Sequence, residues 1–290
     1  MAVTHFWVHD ALVPVADAKV SVLDHGFTVA DGVFETLKVT AGQVFALDRH
    51  LLRLGRSAAG LGINLPDLDL IHKGVAEVLA ANINVALGRM RITVTSGTGP
   101  LGSDRTNAEP TLVISLAEQN PWPTETSILL VPWPRNEKSP LVGLKTTSYA
   151  ENVFALEAAH AHGYSEAIMS DSIGRLSEGT GSNIFLVIGE EVVTPSSESG
   201  LLQGITRELT TEWALAAGYK VVERDVANAE LWQATEVFIT SSTRDVHPVT
   251  MLAELNQVGE VTNERKLEIG AISRALAEMF IKRRNESMNP

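Results

Sequence analysis

The chain has 290 residues, 44% hydrophobic and 20% charged, enough to bury a substantial core in one large or two medium domains. It contains no cysteine, which excludes disulfides, thiolate metal sites, iron–sulfur clusters and a cysteine nucleophile. Thirty-five acidic against 23 basic residues give a net charge of −12, and no basic run exceeds Lys282–Arg284, so a nucleic-acid-binding surface is not expected. Residues 1–20 lack the charged start, apolar block and cleavage site of a signal peptide, and no apolar stretch reaches the roughly 18 residues of a membrane span. The expectation is a soluble, cytoplasmic protein with no nucleic-acid or membrane partner.

Short strands open the chain, HFWVHDALV and then AKVSVLD. VFETLKVTAGQVFALD follows as two apolar runs flanking a hairpin turn at Ala41–Gly42. Apolar spacing predicts a helix over 48–59 stopped by Gly60, and a second over 68–81 with Ile71, Val75, Val78 and Leu79 on one face. Strands at 89–95 and 110–117 are joined by the loop GTGPLGSDRTNAE. The polar, proline-containing segment 119–127 reads as a linker between a first domain, 1–118, and a second, 128–290. The second begins with the strand SILLVPWP, followed by a helix from Ala150 to His162 with Val153, Leu156, Ala159 and His160 on one face. EAIMSD, SIGR, LSEGTGSNIFLVIG and EEVVTP read as a strand, a tight turn and a hairpin. A helix ending at Gly218, the strand VVERDV, a short helix at ANAELWQA and the strand TEVFITSS come next. A last helix is predicted from Glu264 to Arg283, and the tail NESMNP is expected to be mobile. Strands and helices alternate irregularly without a repeat, which favours α/β or α+β.

Gly97-Thr-Gly-Pro-Leu-Gly102 has the G-x-G-x-x-G spacing, but a dinucleotide fingerprint needs a helix to open at the turn. Here Pro100 and SDRTNAEP lead into another strand, so a plain β–β connection is expected. No G-x-S-x-G, Walker A or H-E-x-x-H pattern appears, the eight histidines show no ligand spacing, and no metal is expected. Seven of the eight lysines, Lys38 among them, have the polar or turn neighbours of a solvated ammonium. Lys145 differs, lying between Val142-Gly-Leu and Thr146-Thr-Ser-Tyr149 just ahead of an apolar helix, where burial would free the amine lone pair to attack a carbonyl. Glu178 stands in Leu176-Ser-Glu-Gly-Thr-Gly-Ser-Asn183, a carboxylate followed by two glycines in a tight turn. Leu202-Gln-Gly204-Ile-Thr206-Arg opens a helix with free N–H groups and a hydroxyl, the physics of a phosphate seat, and Thr240-Ser-Ser-Thr243 follows a buried strand. Singly, each of these also reads as a strand-end lysine, a polar hairpin or an ordinary helix start. As a set they are the parts a pyridoxal phosphate enzyme needs.

The run Lys145…Tyr149…Ser177-Glu178-Gly-Thr-Gly-Ser-Asn183…Gly204-Ile-Thr206-Arg…Phe238-Ile-Thr-Ser-Ser242…Pro248-Val249 resembles the class IV aminotransferases, the fold type IV pyridoxal phosphate enzymes. Asp31-Gly-Val-Phe-Glu-Thr36 and His50-Leu-Leu-Arg53-Leu resemble the family's first-domain motifs. The resemblance spans about residues 5 to 250. It implies an α+β protein of two domains, a small α/β N-terminal domain and a larger pseudo-barrel C-terminal domain, working as a homodimer with pyridoxal 5′-phosphate. It further implies that Lys145 bonds the cofactor and moves the substrate proton, and that Glu178 keeps the pyridine nitrogen protonated. Tyr149 would meet the ring's phenolic oxygen and Leu202 would pack beneath the ring. Arg53, the N–H groups of Ile205 and Thr206, and Ser242 would bind the phosphate; Phe34, Thr36 and Thr243 would face the substrate.

Within the family the motifs read closer to the D-amino acid aminotransferase, aminodeoxychorismate lyase and (R)-amine transaminase branches than to the branched-chain one. The Arg-x-His carboxylate trap of D-amino acid aminotransferases is absent, its place taken by Thr95-Ser-Gly97. The expected activity is transfer of an amino group between a small primary amine or amino acid and a keto acid such as pyruvate, with (R) selectivity. Aminodeoxychorismate lyase and a non-catalytic scaffold are the alternatives. Arg105, in the 97–107 loop, is the expected mobile partner for a substrate carboxylate, whereas Arg89 and Arg91 are expected to be solvated.

Overall fold

In the computed structural model, which describes residues 3–290, the first ladder is the hairpin β1 (His5–Val8) and β2 (Ala11–Pro14). AKVSVLD forms no strand: it meets no ladder partner beyond the single Asp24–Thr98 bridge, and Val20, Val22 and Leu23 are exposed. The Asp24 side chain caps a one-turn helix, α1 (His25–Thr28). The predicted hairpin forms between β3 (Gly32–Thr40) and β4 (Gln43–Val44). Its turn places Ala41 and Gly42 at φ 49° and 75°, the left-handed pair that suits strand twist. Helix α2 (Leu47–Leu61) runs past Gly60 and stops at Gly62, φ 70°. Gly60 is instead a contact residue, since a Cβ there would come within 2.6 Å of the Leu144 side chain. Helix α3 (Leu68–Ala81) has the predicted bounds, and strands β5 (Leu87–Thr95) and β6 (Thr111–Glu118) complete an antiparallel sheet in the order β2-β1-β6-β5-β3-β4.

Side-chain alternation divides this sheet. Val33, Leu37 and Val39 of β3, with Met90, Ile92 and Val94 of β5, join Leu51, Leu54, Ile71 and Val75 of α2 and α3 in one core. Phe34, Thr36 and Lys38 point to the other face, in register with Thr93, Arg91 and Arg89. The tail expected to be mobile is bonded to α2: Met288 C=O accepts from Ala46 N–H (2.7 Å) and Asn289 Oδ1 from Asp48 N–H (3.1 Å).

Past Trp122 the chain builds a second unit from β7 (Thr126–Leu130), α4 (Ala150–Ala161), β8 (Glu166–Ser170), β9 (Leu176–Gly179), β10 (Asn183–Ile188) and β11 (Glu191–Pro195). It continues with α5 (Ile205–Ala216), β12 (Lys220–Arg224), α6 (Asn228–Leu231), β13 (Glu236–Ser241), β14 (Asp245–Leu255), β15 (Val261–Lys266) and α7 (Ala271–Glu286). Leu144–Ser148 and Ser287–Pro290 group with the first unit. In the second unit β9-β10-β13-β14-β7-β8 returns to β9, a closed ring of strands from which β11, β12 and β15 branch. The ring closes at the single pair Asn183–Glu178. The expected α+β arrangement with a barrel-like second half is what the chain forms.

Two further expectations are corrected. Residues 264–266 pair with Ala253–Met251 in β15, so the last helix begins at Ala271. In α4 the buried residues are Asn152, Ala155 and Ala159, while Val153 and Phe154 are exposed, because small side chains let the helix approach β8 closely. No helix among the described residues is long and apolar enough to cross a membrane.

Candidate active site

Lys145 lies outside helix and strand, yet its backbone is fixed. Its N–H donates to Ser57 Oγ (3.0 Å), its C=O accepts from Phe34 N–H (3.0 Å), and Thr147 N–H donates to Gly32 C=O (2.8 Å), a short rung on β3 around the Val33–Thr146 bridge. The half-buried ammonium sits 4.4 Å from the centre of the Phe34 ring. Arg91 lies against the same ring with its guanidinium carbon 3.6 Å from the centre, and its Nε donates to Thr93 Oγ1 (3.1 Å). Arg91 is therefore packed, not solvated, and so is Lys38, 7% exposed, whose strand neighbours alone had suggested a wet ammonium. Arg89 is exposed as expected, and Thr36 pairs with Arg91 in the β3–β5 ladder.

On the helix-covered face, Glu35 is fully buried and takes two bonds from Arg53, Nε to Oε1 (2.8 Å) and Nη2 to Oε2 (2.7 Å), and one from His50 Nδ1 (2.6 Å). Burial alone would raise the Glu35 carboxyl, but the Arg53 charge and hydrogen bonds, with His50, hold it down at about 2. Burial pushes His50 below the usual imidazole range, leaving it a neutral Nδ1–H donor. Glu35 and His50 were present in the sequence motifs without an assigned role; the His50-x-x-Arg53 helical spacing was the available signal. Arg105 makes a bidentate pair with Asp31, Nε to Oδ2 (2.6 Å) and Nη2 to Oδ1 (2.5 Å), and donates from Nη1 to Gly62 C=O (3.0 Å).

In the second unit Glu178 is 5% exposed at the barrel closure. Arg135 approaches Oε1 at 2.9 Å, and Oε2 accepts from the Leu202 N–H (3.0 Å) and, more weakly, from Asn183 Nδ2 (3.4 Å). Asn183 Nδ2 also donates to Leu202 C=O (2.9 Å), tying the strand to the start of α5. Gly204 is the uncapped N-cap of that helix, and a Cβ there would lie 2.0 Å from Asn183 Oδ1. Ile205 and Thr206 are the first helical residues, both buried, with N–H groups that no helical carbonyl can reach. Thr240 pairs with Asn183 across the β10–β13 ladder and has a buried hydroxyl with no partner. Half-buried Ser242 and buried Thr243 lie in the β13–β14 turn, and half-buried Tyr149 precedes α4. Arg135, Asn152 and Glu166 were not anticipated.

A carboxylate paired with a guanidinium, a helix start without a side-chain cap and an unpartnered hydroxyl are thus all linked through Asn183. Residues 32–252 match the family described as amino-transferase class IV. The chain belongs to the class IV aminotransferases. It is 34% identical over 281 residues, 94% of both chains, to a putative branched-chain-amino-acid aminotransferase of Methanocaldococcus jannaschii. It is 29% identical, over 87% of its length and 88% of the relative's, to an aminodeoxychorismate lyase of Bacillus subtilis. The crystal structure of a branched-chain aminotransferase from Thermoproteus uzoniensis with norvaline superposes with TM-score 0.89 at 29% identity, covering 98% and 94% of the two chains. Class IV aminotransferases are pyridoxal phosphate enzymes, and an amine and a keto acid are their substrates. The residues present fit the cofactor: the Gly204 cradle admits no side chain, Thr240 has a hydroxyl without a partner, and Glu178 brings a buried carboxylate whose charge would suit a protonated ring nitrogen.

Proposed function

We propose that this aminotransferase moves an amino group between a small primary amine or amino acid and a keto acid such as pyruvate, with Lys145 as its proton carrier. The observation that carries the reading is the placement of the Lys145 amine on the Phe34 ring by a backbone fixed at both N–H and C=O. Bound pyridoxal phosphate supplies an electron-withdrawing ring that stabilises charge at the substrate α-carbon. Lys145 takes the proton from that carbon and returns it. Glu178 would accept the ring N–H, Tyr149 would donate to the phenolic oxygen and Leu202 would pack under the ring. Arg53, the amides of Ile205 and Thr206, and Ser242 would hold the phosphate, and Phe34, Thr36 and Thr243 would face the substrate.

Arg91 is the carboxylate partner this reading puts first, because it shares the Phe34 ring with the Lys145 amine. Arg105, paired with Asp31, is the alternative and would have to leave that carboxylate to serve. The (R) preference rests on the resemblance of the motifs to the D-amino acid aminotransferase, aminodeoxychorismate lyase and (R)-amine transaminase branches, and the missing Arg-x-His trap makes D-amino acids poor donors. Self-association as a homodimer is supported by exposed Val22, Phe27 and Leu101 on segments tied together by the Gly99 N–H to Leu23 C=O bond (3.1 Å); the enzyme acts in the cytoplasm.

Borohydride reduction of the holoenzyme and peptide mapping should place the label on Lys145, and a label on any other lysine would overturn the assignment. A panel of both 1-phenylethylamine enantiomers, D-alanine and L-leucine with pyruvate and with 2-oxoglutarate decides the substrates. The 29%-identical lyase relative favours a second reading, elimination of pyruvate from aminodeoxychorismate; pyruvate release without an amino acceptor would establish it. Light scattering at micromolar concentration should give twice the 31.2 kDa chain mass.

A further inference from the structure

The second unit contains a run of side chains leading to Glu178 that the reading above does not use. Asn152 is 5% exposed on the face of α4 otherwise buried through Ala155 and Ala159. A buried amide among alanines is costly unless both its ends are bonded. Both are: Nδ2 donates to Thr180 C=O (2.8 Å) and Oδ1 accepts from Arg135 Nη1 (3.3 Å), while Nη2 of the same guanidinium holds Glu178 at 2.9 Å. Glu166, 3% exposed, grips the same turn from its other end. Its Oε1 accepts from the Thr180 N–H (3.1 Å) and hydroxyl (2.5 Å), and its Oε2 from the Ser182 hydroxyl (3.1 Å). Gly179 lets the turn close, since a Cβ there would meet Ser182 Oγ at 2.3 Å. Residues 179–182, which separate Glu178 from Asn183, are thus held by one amide and one carboxylate. An amide offers a donor and an acceptor on one short planar group, where an ionised carboxylate of the same size has no donor for Thr180.

We propose that Asn152, backed by Glu166, is a positioning residue for Glu178: it fixes the Arg135 guanidinium and the 179–182 turn in one arrangement and so aims the Glu178 carboxylate at the cofactor's ring nitrogen. This rests on the role given to Glu178 above. Cofactor dissociation constants and the pH midpoint of the holoenzyme's visible absorbance are measured for Asn152→Ala, Glu178→Gln and the double variant. Asn152→Ala should bind pyridoxal phosphate roughly tenfold more weakly, the size of one lost hydrogen bond to a charged network, and should move the midpoint. In the Glu178→Gln background it should add less than about a twofold loss, because the two act through one group. Glu166→Gln, whose amide can donate to Ser182 Oγ while its oxygen still accepts from Thr180, should stay near wild type where Glu166→Ala does not.

Additive losses in the double variant, or an Asn152→Ala enzyme with wild-type affinity and midpoint, overturn the proposal. If Asn152→Ala does not fold, Asn152→Asp, of nearly equal volume but unable to donate to Thr180, gives the same decision. A Glu178→Gln enzyme with an unmoved midpoint and affinity would refute the role of Glu178, and this inference with it. A moved midpoint in Glu178→Gln beside an unmoved one in Asn152→Ala refutes this inference alone.

Discussion

Gly204 shows how one missing methyl group shapes the site. Any Cβ would press on Asn183 Oδ1 at 2.0 Å, and Asn183 is the residue that ties Leu202 and Glu178 together. Gly204→Ala should therefore cost about 1–3 kcal/mol in stability and weaken cofactor binding; thermal melts and cofactor titration check both, and Asn183→Ser in the same chain should recover part of the loss. A second single-residue prediction separates the two arginines. Arg91→Ala should raise KM for the keto acid roughly tenfold or more, whereas Arg105→Ala should raise it less, because Arg105 is occupied by Asp31. Steady-state kinetics with pyruvate decide, and the opposite order would return the clamp to Arg105. Lys145, Glu178 and the Gly204 helix start were legible in the sequence because each is an unusual residue type in a sharp local pattern. Glu35, Arg135, Asn152 and Glu166 were not, since their partners lie 14 to 43 positions away and meet only through sheet register and barrel closure. Arg91 was misjudged for a related reason: alternation gives a strand two faces but does not say that both are covered.

Helix α2 carries His50 and Arg53, and its entry depends on the last residues of the chain. Ala46 sits in the left-handed region at φ 55° and provides no side-chain cap. Met288 C=O and Asn289 Oδ1 take the orphan amides of Ala46 and Asp48 instead, while Asn289 Nδ2 returns a bond to Asp48 (2.7 Å). Deleting 287–290 should lower the urea midpoint by the equivalent of about 1–2 kcal/mol, the range of a lost helix cap, with Asn289→Ala losing about half as much. An unchanged midpoint would show that water caps the helix equally well. Elements with strong periodicity, such as α3, were readable to the residue. β14 was missed because a strand buried along most of its length shows no polar alternation, and Pro248 discourages a strand reading although it is accommodated opposite Phe238. AKVSVLD had the composition of a strand and no neighbour to pair with.

For the whole molecule, two buried groups contribute to the response to acid in adjoining windows. Burial first, and then the Arg244 charge, pushes His247 down to about 4 from 6.5, so the unfolded chain binds more protons between those values and stability falls as pH drops through them. Glu35, held at about 2 from 4.5, contributes stability that is intact above pH 4.5 and lost on the way to pH 2. Urea unfolding across pH should lose on the order of 2 kcal/mol of slope in the upper window in His247→Leu and in the lower window in Glu35→Gln. A His247→Leu profile parallel to wild type would contradict the first. The composition of the first unit, residues up to Pro121 with Leu144–Ser148 and Ser287–Pro290, also has a meaning for synthesis. Made from its N-terminus at roughly 5–20 residues per second, the chain exposes β3 well before residues 145–147 exist to cover it. Until then the Phe34 N–H and Gly32 C=O form an open strand edge, the kind that recruits foreign strands, and α2 waits uncapped until residues 288 and 289 are made. The nascent polypeptide is thus open to mispairing at the strand segment that later carries Phe34 beside Lys145.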